Sequence, residues 1–314
     1  MGDSSEQLGR KFELLAHEIL RHTPHTGIFF PSVPGLRLIR REDPSRQENI
    51  LFPPCVCIPA QGQKQASIGA DPYEYGRGQF LLSCVEMPSS LRVNVEDGKP
   101  YLAMVVELDI PLLFQLFEEL DQGRTGEAGE DASENAEDES LASGISSRSI
   151  CTGEVTPDML DAFLRLARIA DDKEKARFLA PLILREIHYY LASGSMGGYL
   201  RSFYAMTSQS SQIAKAVAYM RKHCNERLRI ENLARMANMA ESTFNRNFKK
   251  VTSLSPLQYH KHLKLYEARR LMLVENMSAA SACFTEGYES QQQFTREYKR
   301  LFGCPPMKDV RRNS

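Results

Sequence analysis

The chain has 314 residues, 42% of them apolar and 25% charged, with a formal net charge of −1. These proportions match soluble globular proteins and the length suits two domains, so wholesale disorder is excluded. No run of about 18 apolar residues exists to cross a membrane as a helix, and seven cysteines without a Cys-x-x-Cys pair argue against a zinc ribbon, a redox dithiol or a disulfide framework.

In chain order, residues 6–21 predict an amphipathic helix, with Leu8, Phe12, Leu15 and Ile19 at helical spacing. Arg10, Lys11, Glu13 and Glu18 interrupt that segment, so it is no signal peptide, and a reduced cytoplasm is the expected compartment. From about 28 to 108 short β-type runs follow, at 36–39, 55–58, 79–82, 91–95 and 101–106. Pro53-Pro54, Gly62, Gly69, Gly76, Gly78 and Asp97-Gly98 punctuate them, which predicts a small barrel or sandwich. Residues 112–120 then look helical, with Pro111 suited to the first turn.

Residues 121–149 are rich in Glu, Asp, Ser, Gly and Ala and lack aromatics, which predicts a disordered acidic loop. It is either a solvated spacer or an acidic competitor for a basic partner domain. From Thr156 onward the pattern is helical to the end. Thr156-Pro157-Asp158 caps a helix to about 170, and a second covers 173–191. This pair offers a dimer surface or a brace against the strands.

The C-terminal third is different in charge. Residues 208–314 hold 19 Lys and Arg against 9 Asp and Glu, a net +10, while residues 1–207 carry −11. Nucleic acid at one end only is the natural partner for such an asymmetry. This third also repeats itself: Phe244-x-Arg246-x-Phe248-Lys249-Lys250 recurs 50 positions later as Phe294-x-Arg296-x-Tyr298-Lys299-Arg300. Each copy reads as a helix-turn-helix. Ile230, Leu233, Ala234 and Ala237 form an apolar stripe, Asn238 tolerates the left-handed turn, and a second helix covers 242–251. In the second copy Ala279, Ala280, Cys283 and Phe284 supply the stripe, Gly287 the turn and 291–302 the second helix.

With Phe244, Phe248, Phe294 and Tyr298 turned inward, the outward residues suit duplex DNA. Ser242, Asn245, Arg246, Gln291, Gln292, Thr295 and Arg296 are the candidate base readers, because Arg pairs bidentately with guanine and Asn or Gln with adenine. Lys249, Lys250, Lys299 and Arg300 are the candidate phosphate contacts. Ser255-Pro256 starts a connector helix of about twenty residues, or about 30 Å. That nearly spans the 34 Å or so of one DNA turn, so one chain can address two successive major grooves.

The runs LARMANMAESTFNRNFKKVTSLSPLQYHKHLKLYEARRLML and GYESQQQFTREYKRLFGCPP resemble the AraC/XylS family of bacterial transcription regulators. PGLRLIRREDPS, CIPAQGQK and YEYGRGQFLLS look like the cupin-like N-terminal domain of one branch of that family. The acidic segment is longer than the family's usual connection, Asn238 stands for the usual glycine, and Glu286 stands where an apolar residue is usual. The resemblance implies an α+β chain: an N-terminal cupin-like β-barrel with flanking helices over 1–120, the acidic loop 121–149, a helical dimerisation or brace segment over 150–200, and an all-α domain over 208–314. It implies a DNA-binding regulator, an activator or a repressor, whose barrel senses a small molecule or dimerises. Duplex DNA, RNA polymerase, a small-molecule effector and a second copy of the chain are the implied partners, with no membrane and no cofactor.

Cupin-like barrels also serve metal enzymes. The histidines are His17, His22, His25, His188, His223, His260 and His262, so the strand region carries none and a His-rich metal site is not expected. No Gly-x-Ser-x-Gly or phosphate loop appears, and no catalytic residue is assigned. Cys55, Cys57 and Cys84 are either core packing or a thiol sensor for oxidants or electrophiles, and the weak candidates for a ligand site. RNA is disfavoured, since the aromatics that would stack on bases lie on the inward stripes.

Overall fold

A computed structural model describes residues 2–43, 48–68, 71–95, 98–125, 149–206 and 208–313. The first part is built from α1 (Gly2–His22), β1 (Gly27–Phe29), β2 (Leu36–Arg41), β3 (Glu48–Phe52), β4 (Cys55–Gln61), β5 (Gln63–Ile68), β6 (Asp71–Gly76), β7 (Gln79–Ser83), β8 (Met87–Asn94), β9 (Tyr101–Glu107), α2 (Ile110–Thr125) and β10 (Ile150–Glu154). Two antiparallel sheets result, a six-stranded one ordered β1-β2-β9-β4-β7-β10 and a four-stranded one ordered β3-β8-β5-β6.

These sheets do not close into the expected cupin-like barrel. Among the described residues no ladder joins one sheet to the other. Gly62, at φ 77°, turns the chain out of β4 and into the facing sheet. The rim strands are short, three residues in β1 and five in β3 and β10, and such edges stay open rather than zip together. The even strand spacing in the sequence allows a barrel and a sandwich alike, and the sandwich is what forms.

β4 and β9 are buried on both faces, which explains their unbroken apolar runs. One face meets the second sheet and the other is covered by α1, whose Phe12, Leu15 and Ile19 are fully buried. Of the acidic segment, residues 126–148 lie outside the described residues, so the expectation of disorder there is not addressed. Asp121–125 ends α2, and Ser149 leads directly into β10, which pairs with β7 from Ile150↔Ser83 to Glu154↔Gln79.

Helices follow: α3 (Pro157–Arg168), α4 (Lys173–Ser193), α5 (Gly197–Tyr204), α6 (Gln209–Lys222), α7 (Ile230–Met236), α8 (Glu241–Thr252), α9 (Pro256–Val274), α10 (Ala279–Thr285), α11 (Gln291–Phe302) and α12 (Pro306–Asn313). Thr156 caps α3 and Asp172 caps α4, each accepting a backbone N–H of its first turn. His188 pins α4 to the turn between β9 and α2. Its Nε2 accepts from the Asp109 N–H at 2.8 Å and its Nδ1 lies 2.7 Å from the Leu184 carbonyl, so burial holds the ring neutral and its pKa below the usual value. Among the described residues no helix is long and apolar enough to cross a membrane.

Candidate nucleic-acid interface

The two copies of the sequence repeat fold alike. In the first, α7 ends in a left-handed turn at Asn238, φ 52°, closed by Met239 N–H to Ala234 O at 2.9 Å and Asn238 N–H to Arg235 O at 3.0 Å. In the second, α10 ends at Gly287, φ 70°, closed by Tyr288 N–H to Cys283 O at 3.1 Å and Gly287 N–H to Phe284 O at 3.0 Å. This is the same paired closure twice, with asparagine doing what glycine does in the partner unit. The second helices end alike too, with Ser253 at φ 62° and Gly303 at φ 77°. Pro256 and Pro306, 50 positions apart, each begin the next helix. A capping box between Ser255 and Gln258 fixes the start of connector α9.

The inward stripes are as expected: Phe244 and Phe248 are fully buried in α8, and Phe294 and Tyr298 in α11. Every candidate DNA residue is exposed: Ser242, Asn245, Arg246, Lys249 and Lys250 on α8, and Gln291, Gln292, Thr295, Arg296, Lys299 and Arg300 on α11. Three of the connector's four lysines and arginines are taken, Lys264 being the fourth. Lys261 pairs with Glu297 at 3.2 Å, Arg269 with Asp309 at 2.7 Å, and Arg270 with Glu267 at 2.7 Å and Glu275 at 2.8 Å. Those of the two outward faces, by contrast, join no ion pair among the described residues. Unpaired cations beside amide and hydroxyl side chains, on two helices of equal build, form a surface for an external polyanion.

Two details were not read from the sequence. The Asn245 side-chain amide donates to the Glu241 carbonyl of its own helix at 2.9 Å, so it must let go before it can reach a base. Glu241 itself stands exposed in the first turn of α8, where a carboxylate can accept from a cytosine amine. Its position at a helix start was the signal available.

The cysteine candidates lie elsewhere. Cys55, Cys57 and Cys84 are all buried in the two-sheet domain. Burial pushes the thiols of Cys55 and Cys84 well above the usual range, and that of Cys151 up to about 12, which suppresses the thiolate. Among the described residues no group of three or more His, Cys, Asp or Glu is placed to hold a metal.

A two-sheet domain followed by paired helix-turn-helix units defines a two-part helix-turn-helix protein. The family model described as AraC-type transcriptional regulator N-terminus matches residues 32–199, and a helix-turn-helix domain model matches 233–312. The chain belongs to the AraC-type transcriptional regulators. It is 33% identical over 89 residues to the MmsAB operon regulatory protein of Pseudomonas aeruginosa, covering 28% of this chain and 29% of that one. It is 28% identical over 133 residues to the regulator ExsA of the same organism, covering 42% and 48%. These matches span less than half the length of either relative. In fold it is similar to ToxT of Vibrio cholerae, at a TM-score of 0.58 and 9% identity over 89% of this chain and 98% of that one. A further ToxT structure, with an unsaturated fatty acid bound, has a TM-score of 0.57 at 7% identity over 88% and 94%.

Proposed function

We propose that this chain is a sequence-specific regulator of transcription that reads two successive major grooves of duplex DNA with α8 and α11. The observation that carries this reading is the pair of outward faces, alike in build and bearing cations that join no ion pair among the described residues. Arg246, Asn245 and Ser242 read bases of one half-site, and Arg296, Gln291, Gln292 and Thr295 those of the other. Lys249, Lys250, Lys299 and Arg300 hold phosphates. Connector α9, 19 residues long, spans about 28 Å and separates the two by nearly one DNA turn.

The N-terminal domain adjusts this activity through a small apolar or amphipathic effector. Support comes from a cavity of about 840 Å³ between the two-sheet domain and α6, with Phe114, Val85 and Val217 on its walls and a mixed rim in which Arg37 pairs with Glu107 and Arg221 with Glu86, beside Lys215 and Glu118. The fatty acid bound to ToxT is a ligand of that amphipathic kind. Helix α4 exposes Phe178, Leu182 and Tyr189 along one side, a face that a second copy of the chain would cover. RNA polymerase is the further partner of a regulator that activates, in the cytoplasm.

Selection of duplexes from a random library by the full-length chain tests the reading. Binding should fall with salt at a log–log slope of about −0.9 per phosphate neutralised. Arg246→Ala and Arg296→Ala should each cost about 1–3 kcal/mol of specific binding and blur different half-sites, while Lys249→Ala weakens all sequences alike. If both arginine variants select the same motif as the parent, the base-reading assignment is wrong.

A further inference from the structure

The two recognition helices are held at equivalent points by the N-terminal domain. An α-helix leaves its last carbonyls without partners of its own. In α8 the carbonyl of Val251, next to last, accepts a hydrogen bond from the Ser149 hydroxyl at 2.5 Å. In α11 the carbonyl of Leu301, also next to last, accepts one from the Asn49 side-chain amide. Val251 and Leu301 are 50 positions apart, the offset of the repeat itself, so the same carbonyl of each unit is gripped.

Both donors are themselves anchored. Ser149 is 4% exposed, and its own carbonyl accepts the Cys84 N–H at 2.8 Å, fixing it to the six-stranded sheet. Asn49 lies in β3 opposite Ser90, at the rim of the four-stranded sheet. The two donors therefore ride on different sheets of one domain. The connector is tied to the same domain by the Tyr259 hydroxyl, which donates to the Glu86 carbonyl at 2.8 Å.

We propose that Asn49 and Ser149 are a pair of positioning residues through which the N-terminal domain sets the separation and tilt of α8 relative to α11, and hence the half-site spacing the protein accepts. The connector alone fixes the distance along its axis. The second unit packs around a core that it shares with the C-terminal half of the connector, Leu265 to Met272, and with none of the N-terminal domain's apolar core, so flexing of the connector pivots it as one body against the first unit. Tying both helix ends to one body removes the pivot. Because the donors sit on opposite sheets, any effector that shifts one sheet against the other moves α8 against α11, and the signal reaches DNA as a change of spacing. This inference rests on the assignment of α8 and α11 as the DNA-reading pair.

The test uses the full-length chain and the best duplex selected from the random library, together with versions carrying one base pair inserted or removed between the half-sites. The parent protein should lose about tenfold or more in affinity on either change. The double variant Asn49→Ala with Ser149→Ala should lose about threefold or less, with only a modest drop on the unaltered duplex. Ser149→Thr, which keeps the hydroxyl donor, should retain the steep parental profile. Each single Ala variant should flatten the profile partly, which serves should the double variant fail to fold. A double or single Ala variant as steep as the parent overturns the inference. So does a parent that binds its selected duplex but tolerates altered spacing, and in that case the DNA-reading assignment stands. A parent that selects no duplex brings down both.

Discussion

In the first helix-turn-helix unit, Phe244, Phe248 and Leu263 belong to the same apolar core as Phe12, Leu82 and Val106 of the two-sheet domain. In the second, Phe294, Tyr298 and Cys283 share a core only with their own neighbours and with Leu265, Ala268, Leu271 and Met272 of the connector. One repeated supersecondary unit has thus been given two kinds of support. The first unit should therefore open together with the rest of the molecule, and the second by itself at a lower cost. The second unit adds polar links, one buried and two partly buried. Asp309 accepts from Arg269 Nε and from the Tyr298 hydroxyl, both at 2.7 Å, and Glu297 accepts from the Tyr288 hydroxyl at 3.0 Å.

The largest effects should come from emptying the two cores in turn. Phe244→Ala and Phe294→Ala should each cost about 3–5 kcal/mol locally. The first should lower the global unfolding midpoint. The second should speed hydrogen exchange over 265–310 while amides of β4 and β9 stay protected. Loss of protection in both halves with Phe294→Ala would break the distinction.

A smaller change should come from Asp309→Ala. It leaves the half-covered Arg269 guanidinium without its carboxylate and the Tyr298 hydroxyl without its acceptor, a cost of about 2–3 kcal/mol. Arg269 keeps its stacking on Phe302, at 4.9 Å, so the loss should be partial. Denaturant titration followed by exchange at α11 and α12 reads it, and an unchanged midpoint would show that the second unit does not depend on these links.

The smallest change, and the one that sharpens the comparison by pH, concerns Glu286 beside the second turn. Glu286 is 3% exposed, it accepts from the Cys224 thiol at 3.8 Å, and the charges of Glu267 and Lys264 act on it from the connector. Burial, reinforced by the Glu267 charge, pushes the carboxyl up to about 7. A carboxyl raised in the folded state favours folding below its unfolded value of about 4.5, and that advantage is lost as pH rises through about 7. Glu286→Gln should therefore stabilise the second unit by about 1–2 kcal/mol at pH 8.5 and by little at pH 5. A variant with the same pH dependence as the parent would show that Glu286 does not titrate in this range.

The inward and outward faces of α8 and α11 were legible because an internal offset of 50 positions places each residue twice. Phe244 and Phe294 fix the inward face, and the outward residues follow from helical geometry. Asn238 was readable as a turn for the same reason that Gly287 was: both tolerate the left-handed backbone. The strands were legible where both faces are buried, as in β4 and β9. They were missed where polar residues dominate, as in Gln63–Ile68 and Asp71–Gly76, whose pairing is decided by neighbours and not by their own pattern. Closure was misread because strand spacing does not state which edges meet. The grip of Ser149 on Val251 and of Asn49 on Leu301 bridges 102 and 252 positions with common side chains, and no local pattern announces it.

The late arrival of β10 has a consequence for how the protein is made. Its partner β7 leaves the ribosome roughly 70 residues earlier, which at about 5–20 residues per second is a wait of several seconds. Through that interval the emerging six-stranded sheet ends in β7, whose Phe80, Leu81 and Leu82 are buried in the finished protein. An unpaired apolar edge of that kind invites strands from other chains. A fragment stopped at residue 125 keeps that edge permanently, so it should self-associate more strongly than one extended through β10 and α5. In the cell, the nascent chain is at its most vulnerable while residues 126–148 are being synthesised, and a chaperone that shields β7 would have its window there.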